Sequence, residues 1–131
     1  MTPEQKIIYF DRDGRPLEMA GMVAAFESGT NRTVAFTRIV GDDPPWVIEV
    51  STVHLVIDHQ YGDGPPLIFE TMVFGDGEGD CERYSTEQQA REGHTRMVAQ
   101  VAAGLSRPVV LDIDPDELHA SRLADPDGET P

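Results

Sequence analysis

"STVHLVIDHQYGDGPPLIFETMVFGDG", residues 51–77, contains two β-branched and aromatic runs separated by a Gly/Pro-rich insert. Val53, Leu55 and Ile57 alternate with other residues, as they would in a strand with one buried face. "PLIFETMVF" is apolar on both faces apart from Glu70 and Thr71. The seven-residue "QYGDGPP" between the runs is too long for a tight turn and suits a hairpin with an irregular loop. Just upstream, Trp46, Ile48 and Val50 occupy even positions. The change of parity near Ser51-Thr52 predicts a bulge there, or a strand buried on both faces.

Working outward, "RTVAFTRIV" (residues 32–40) adds a strand. Val34, Phe36 and Val40 would share one face, with Arg38 as an intruder, before "GDDPP" breaks the run. "KIIYF" (6–10) is a further short strand, ended by the turn-forming "DRDG". A helix is expected over 17–27, where Met19, Met22, Val23 and Phe26 form one stripe between Pro16 and Gly29. A longer helix is expected over 86–104. Ser85/Gln88 and Thr86/Gln89 both have capping-box spacing, and Ala90, His94, Met97, Val98, Val101 and Leu105 form its stripe. "VVLDI" (109–113) reads as an edge strand, and "DPDELHASRL" as a helical turn capped by Asp114. The fold class is therefore α+β, in β-α-β-β-β-α order. A three-stranded antiparallel meander over about 33–74 carries two helices on one face. Residues 1–113 make one domain, and 114–131 an acidic, partly disordered tail whose removal leaves the fold intact.

Charge narrows the function. The 131 residues hold 24 acids and ten Lys or Arg, a formal net of −14. Residues 112–131 contribute seven acids against Arg122, a net of −6, so −8 remains on the body. Nucleic-acid affinity comes from cations that neutralise phosphates, so this balance excludes a direct nucleic-acid binder and attachment to an anionic membrane. The α-β-β-β-α order looks like that of double-stranded-RNA-binding domains, but charge rejects that function. No apolar run approaches the ~20 residues of a membrane helix, and no signal-like leader opens the chain. Cys81 is the lone cysteine, which suits a reducing compartment; the cytoplasm is the expected location.

The candidate polar face on the hairpin consists of His54, Asp58 and Glu70, with His94 from the long helix. Glu70 would oppose His54 across the hairpin in one of the possible registers, giving an acid/base couple. A cross-strand pair that satisfies two half-buried polar groups is the plainer reading. His54 and His59 lie five apart on a strand, hence on opposite faces roughly 17 Å apart at ~3.3 Å per residue, and cannot share a metal. Asp76, Glu78, Asp80 and Glu87 match four calcium-loop positions, but Cys81 stands where that loop requires glycine. No metal, cofactor or catalytic residue is assigned. A thiolate at Cys81 would be disfavoured by its acidic surroundings.

"STVHLVIDHQYGDGPPLIFETMVFG", "ERYSTEQQAREGH" and "YFDRDGRPLEMAGMVAAFE" together resemble small proteins encoded by phages of actinobacteria and related prophages. The likeness spans about residues 8–101. Those proteins carry an S-T-V-aromatic-L run; here His54 takes the aromatic position, which argues against a catalytic role for it. The resemblance implies phage origin rather than a chemistry. Lys6 is the only lysine, in keeping with a GC-rich host. The expected function is non-enzymatic binding of a basic host or phage protein. Alternatives are a small-molecule binder or enzyme at the hairpin face, and a minor virion component.

Overall fold

The β-branched runs at 33–40, 47–54 and 69–74 form adjacent antiparallel strands in the computed structural model, which describes residues 8–27, 29–75 and 79–124. In chain order the elements are α1 (Met19–Phe26), β1 (Thr33–Val40), β2 (Val47–His54), β3 (Phe69–Phe74) and β4 (Cys81–Tyr84). They are followed by α2 (Glu87–Ala103), β5 (Val109–Ile113) and α3 (Pro115–Ala124). The class is α+β. The sheet has five strands in the order β4-β3-β2-β1-β5, and every neighbouring pair is antiparallel. The expected three-stranded meander is thus its centre, extended by β4 on one edge and β5 on the other. Of the run at 6–10, Lys6 and Ile7 lie outside the described residues. Tyr9 and Phe10 make only isolated bridges, to Ile57 and Pro16.

The register corrects the expected bulge. Ile39 faces Ile48, Thr37 faces Val50, Val50 faces Val73, Thr52 faces Thr71 and His54 faces Phe69. Ile48, Val50, Thr52 and His54 are all buried, so β2 alternates without interruption. The parity change in the sequence arises because two polar residues, Thr52 and His54, occupy core positions, while Val53 is half-buried on the other face. The irregularity sits instead in β1, between Thr33 and Ala35. It lets Val34 join Phe69, Tyr84 and Ala90 in the core under α2, although Phe36, two residues on, turns to the opposite face.

Helix α2 starts with a capping box in the second of the two possible frames. Thr86 Oγ1 accepts from Gln89 N at 3.1 Å, and the Gln89 side chain accepts from the Thr86 backbone. Its stripe meets the sheet as the spacing predicts. Ala90, His94 and Met97 are buried, and Val98, Val101 and Leu105 pack beside Ile39, Ile48, Val50 and Val73. Each fully buried aliphatic side chain contributes roughly 1.5–3 kcal/mol. Gly93 lies directly against the Tyr84 ring, which leaves no room for a Cβ.

The helices do not share one face. With 17 residues, about 25 Å at ~1.5 Å per residue, α2 already spans β1 to β4. α3 crosses the opposite side of β1, where the Arg122 guanidinium stands 5.8 Å from the centre of the Phe36 ring. Asp114 caps it by accepting from Asp116 N at 2.8 Å, and Asn31 donates to Pro115 O and Asp116 Oδ1. Residues 115–124 of the expected tail are therefore a docked helix, and 125–131 lie outside the described residues. α1 has no buried residue; Met19 and Val23 are 68% and 49% exposed, so its apolar stripe is not matched to the sheet. No described helix is long and apolar enough to cross a membrane.

Candidate functional site

Strand alternation brings Thr37, Thr52 and Thr71 to the same face of three neighbouring strands, with Thr52 opposite Thr71 and Thr37 two residues along, opposite Val50, all beneath His94 of α2. All four side chains are buried. A carboxylate can only accept, so Thr37 Oγ1 donates to Asp112 Oδ1, 2.8 Å away on β5. The Thr37 oxygen is then free to accept from His94 Nε2–H, also at 2.8 Å. The neutral ring offers its Nδ1 lone pair to Thr52 Oγ1–H at 2.7 Å, and Thr52 accepts in turn from Thr71. Asp112 thereby sets the direction of the whole chain and the tautomer of the ring. Burial pushes the His94 pKa down, opposed by Asp112 and aided by Arg91, which agrees with a neutral ring. Among the described residues no buried side-chain nitrogen or oxygen lacks a partner.

The four residues of the expected polar face go to different places. His54 Nε2 meets Phe10 O at 3.0 Å, and its ring tilts against Phe69 with centres 5.3 Å apart. Burial is the main cause that lowers its pKa. Asp58 Oδ1 accepts from Gln60 N and Leu67 N, closing the hairpin loop. Glu70 pairs with Val53 in the register, not with His54, and therefore projects from the face opposite α2. There it binds Arg83 Nε at 2.9 Å and accepts from Cys81 Sγ at 3.4 Å. The Cys81 thiol is pushed up, first by burial of its sulfur and then by Glu70. Only His94 belongs to the relay, and its threonine and aspartate partners were not singled out from the sequence. The available signal was a threonine at a core position in each of three adjacent strands.

The relay emerges at a cleft of about 340 Å³ between α2 and β5, lined by Thr37, Arg91, His94, Thr95, Asp112 and Asp114 among others. Both nitrogens of His94 are engaged with threonine hydroxyls, so the ring has no lone pair to offer a substrate there. Among the described residues no three His, Cys, Asp or Glu side chains converge as metal ligands; Asp76 and Glu78 of the calcium-like spacing lie outside them.

Charge on the surface is organised by pairing. Arg12 and Arg91 bind Glu87, Arg38 binds Glu49, Arg83 binds Glu70, Arg96 binds Glu82 and Arg107 binds Asp42. Arg32 and Arg122 lie over the Phe26 and Phe36 rings. Arg15 is the one arginine outside these contacts among the described residues. The 24 acids of the chain far exceed the five carboxylates these pairs occupy. No protein-family model matches the chain, and no curated protein or solved structure matches it.

Proposed function

We propose that this protein is a phage-type accessory protein of the host cytoplasm that acts without catalysis, by binding a basic protein of the host or of the phage. The supporting observation is the pairing pattern: every described arginine but Arg15 is engaged within the molecule, so the surface offered to a partner is mainly acidic. Such a field attracts a cationic surface and repels nucleic acid. The engagement of both His94 nitrogens agrees with a binding role rather than a general base.

Capture of the tagged protein from infected actinobacterial cells, followed by identification of what it retains, tests this reading. A basic partner is expected, with an affinity for the purified protein that falls steeply as salt shortens the ~10 Å screening length at 0.1 M. An affinity unchanged between low and high salt would reject the reading. Stoichiometric recovery from purified particles by mass spectrometry would favour a virion component instead. The cleft beside His94 supports a second reading, a small-molecule binder.

A further inference from the structure

The two edges of the sheet are built differently. β4 has four residues and carries charge along its length, with Glu82 paired to Arg96 and Arg83 paired to Glu70. Charged, short edges resist pairing with another chain. β5 is its opposite: Val109–Ile113 contains no Lys, Arg or Pro and, among the described residues, pairs only with β1 and ends the sheet. Val109 and Leu111 are 54% and 47% exposed. The strand therefore presents one row of backbone N–H and C=O groups and half-exposed apolar side chains at an edge that no other described strand covers.

The two faces beside this edge differ. Val110 opposite Ile39, and Asp112 opposite Thr37, look toward α2; Val109, Leu111 and Ile113 look the other way. Asp112 uses Oδ1 on Thr37, and its second oxygen makes no hydrogen bond among the described residues. It stands at the mouth of the cleft with Asp114 beside it.

We propose that the free edge of β5 receives an extended segment of a protein partner, which adds as a sixth strand and places an arginine or lysine against Asp112 in the cleft. The inference rests on the basic-partner reading above and adds the surface and the recognition pattern to it. Period-two alternation makes that pattern apolar residues over Val109 and Leu111, alternating with a cation on the α2 side. A second copy of this chain is a poorer occupant. Pairing two β5 strands would bring Asp112 and Asp114 of both copies together on molecules that each carry −14.

The test uses the full-length ¹⁵N-labelled protein and a blocked heptapeptide, Val-Arg-Val-Thr-Val-Arg-Val. Two control peptides accompany it, one N-methylated at alternate backbone nitrogens and one with glutamate in place of arginine. Shift changes and new amide-exchange protection should centre on residues 109–113. N-methylation should weaken binding at least tenfold, the glutamate peptide should not bind, and Leu111→Lys should abolish binding. Asp112→Asn, which keeps an acceptor for Thr37, should weaken the arginine peptide about tenfold. Shifts centred on α1, or equal binding of the N-methylated peptide, would overturn strand addition. So would concentration-dependent dimers that protect β5 without peptide. If a basic partner is captured from cells but binds Leu111→Lys unchanged, strand addition fails while the basic-partner reading stands. If the peptide adds to β5 and no basic partner is captured, the reverse holds.

Discussion

His94 donates from Nε2 to Thr37 across 2.8 Å, and Thr37 hands that polarity to Asp112 at the sheet edge. A single helix residue is thus tied through one hydroxyl to two strands. Because Asp112 cannot donate, the relay has one favoured direction as long as the ring is neutral, and protonation of His94 would force Thr52 and Thr71 to reverse.

This makes stability depend on pH. The folded pKa values of His94 and His54 are both lowered, chiefly by burial, whereas in the unfolded chain both titrate near 6.5. Below about pH 6.5 the unfolded state therefore binds more protons than the folded state, and stability falls as pH falls. The melting temperature should fall progressively as the pH drops below about 6.5, where the unfolded histidines take up protons. His94→Gln should melt lower at pH 7.5 but with a flatter pH profile; an unchanged slope would mean that His94 is not the source.

Thr52→Val keeps the shape of the side chain and removes the donor to His94 Nδ1. It should cost roughly 1–3 kcal/mol, the range for a buried group left without its partner. Thr37→Val should cost more, because both His94 Nε2–H and Asp112 lose contact. Denaturant melts of the single variants and of Thr52→Val/Thr71→Val provide the check: coupled residues should give a non-additive double variant.

Gly93→Ala should destabilise, although alanine is the better helix former by about 1 kcal/mol. A Cβ at that position overlaps the ring and hydroxyl of Tyr84, which is buried and cannot swing aside. Overpacking of this kind costs about 1–3 kcal/mol. A higher melting temperature for the alanine variant would contradict the close approach of α2 to β4.

Truncation should distinguish a docked helix from a dispensable tail. A chain ending at residue 113 uncovers Phe36 and removes the Asn31 contacts to Pro115 and Asp116. It should lose several degrees of melting temperature, whereas a chain ending at 124 should melt like the whole protein. Equal melting of both truncations would show that α3 contributes nothing to the sheet.

Cys81 should be a slow nucleophile despite its exposure. Its thiol donates to Glu70 and its pKa is raised, so little thiolate forms at neutral pH. Alkylation by iodoacetamide at pH 7.5 should be slower than that of a free thiol, and Glu70→Gln should accelerate it.

Elements whose burial follows chemical type were legible in the sequence. Period 3.6 in Ala90, His94, Met97 and Val101, together with the capping residues, located α2, and β-branched runs located the centre of the sheet. The failures share one cause: position in the fold overruled hydrophobicity. Thr52 and His54 hold core sites that the pattern assigned to apolar residues, and this mimicked a bulge. Met19 and Val23 form a good stripe on α1, yet they remain exposed, while α2 packs on one face of the sheet and α3 on the β1 side of the other. The relay was beyond reach, because it requires the β1–β2–β3 register and the pairing of β1 with β5, and neither register nor long-range pairing is written in local periodicity.

The strand order also has a consequence for assembly. β1 through β4 can zip together as neighbours in sequence, but β1 remains an outermost strand until β5, the last of the described strands, arrives to cover it. During synthesis, Phe36–Val40 wait with an open edge while about 70 further residues emerge, and non-local closure of this kind slows folding. Premature capture of β1 by a foreign strand is therefore the expected route to misfolding. It would leave Thr37 without Asp112 and His94 without a fixed tautomer, so the polarity of the buried relay marks a correctly completed sheet.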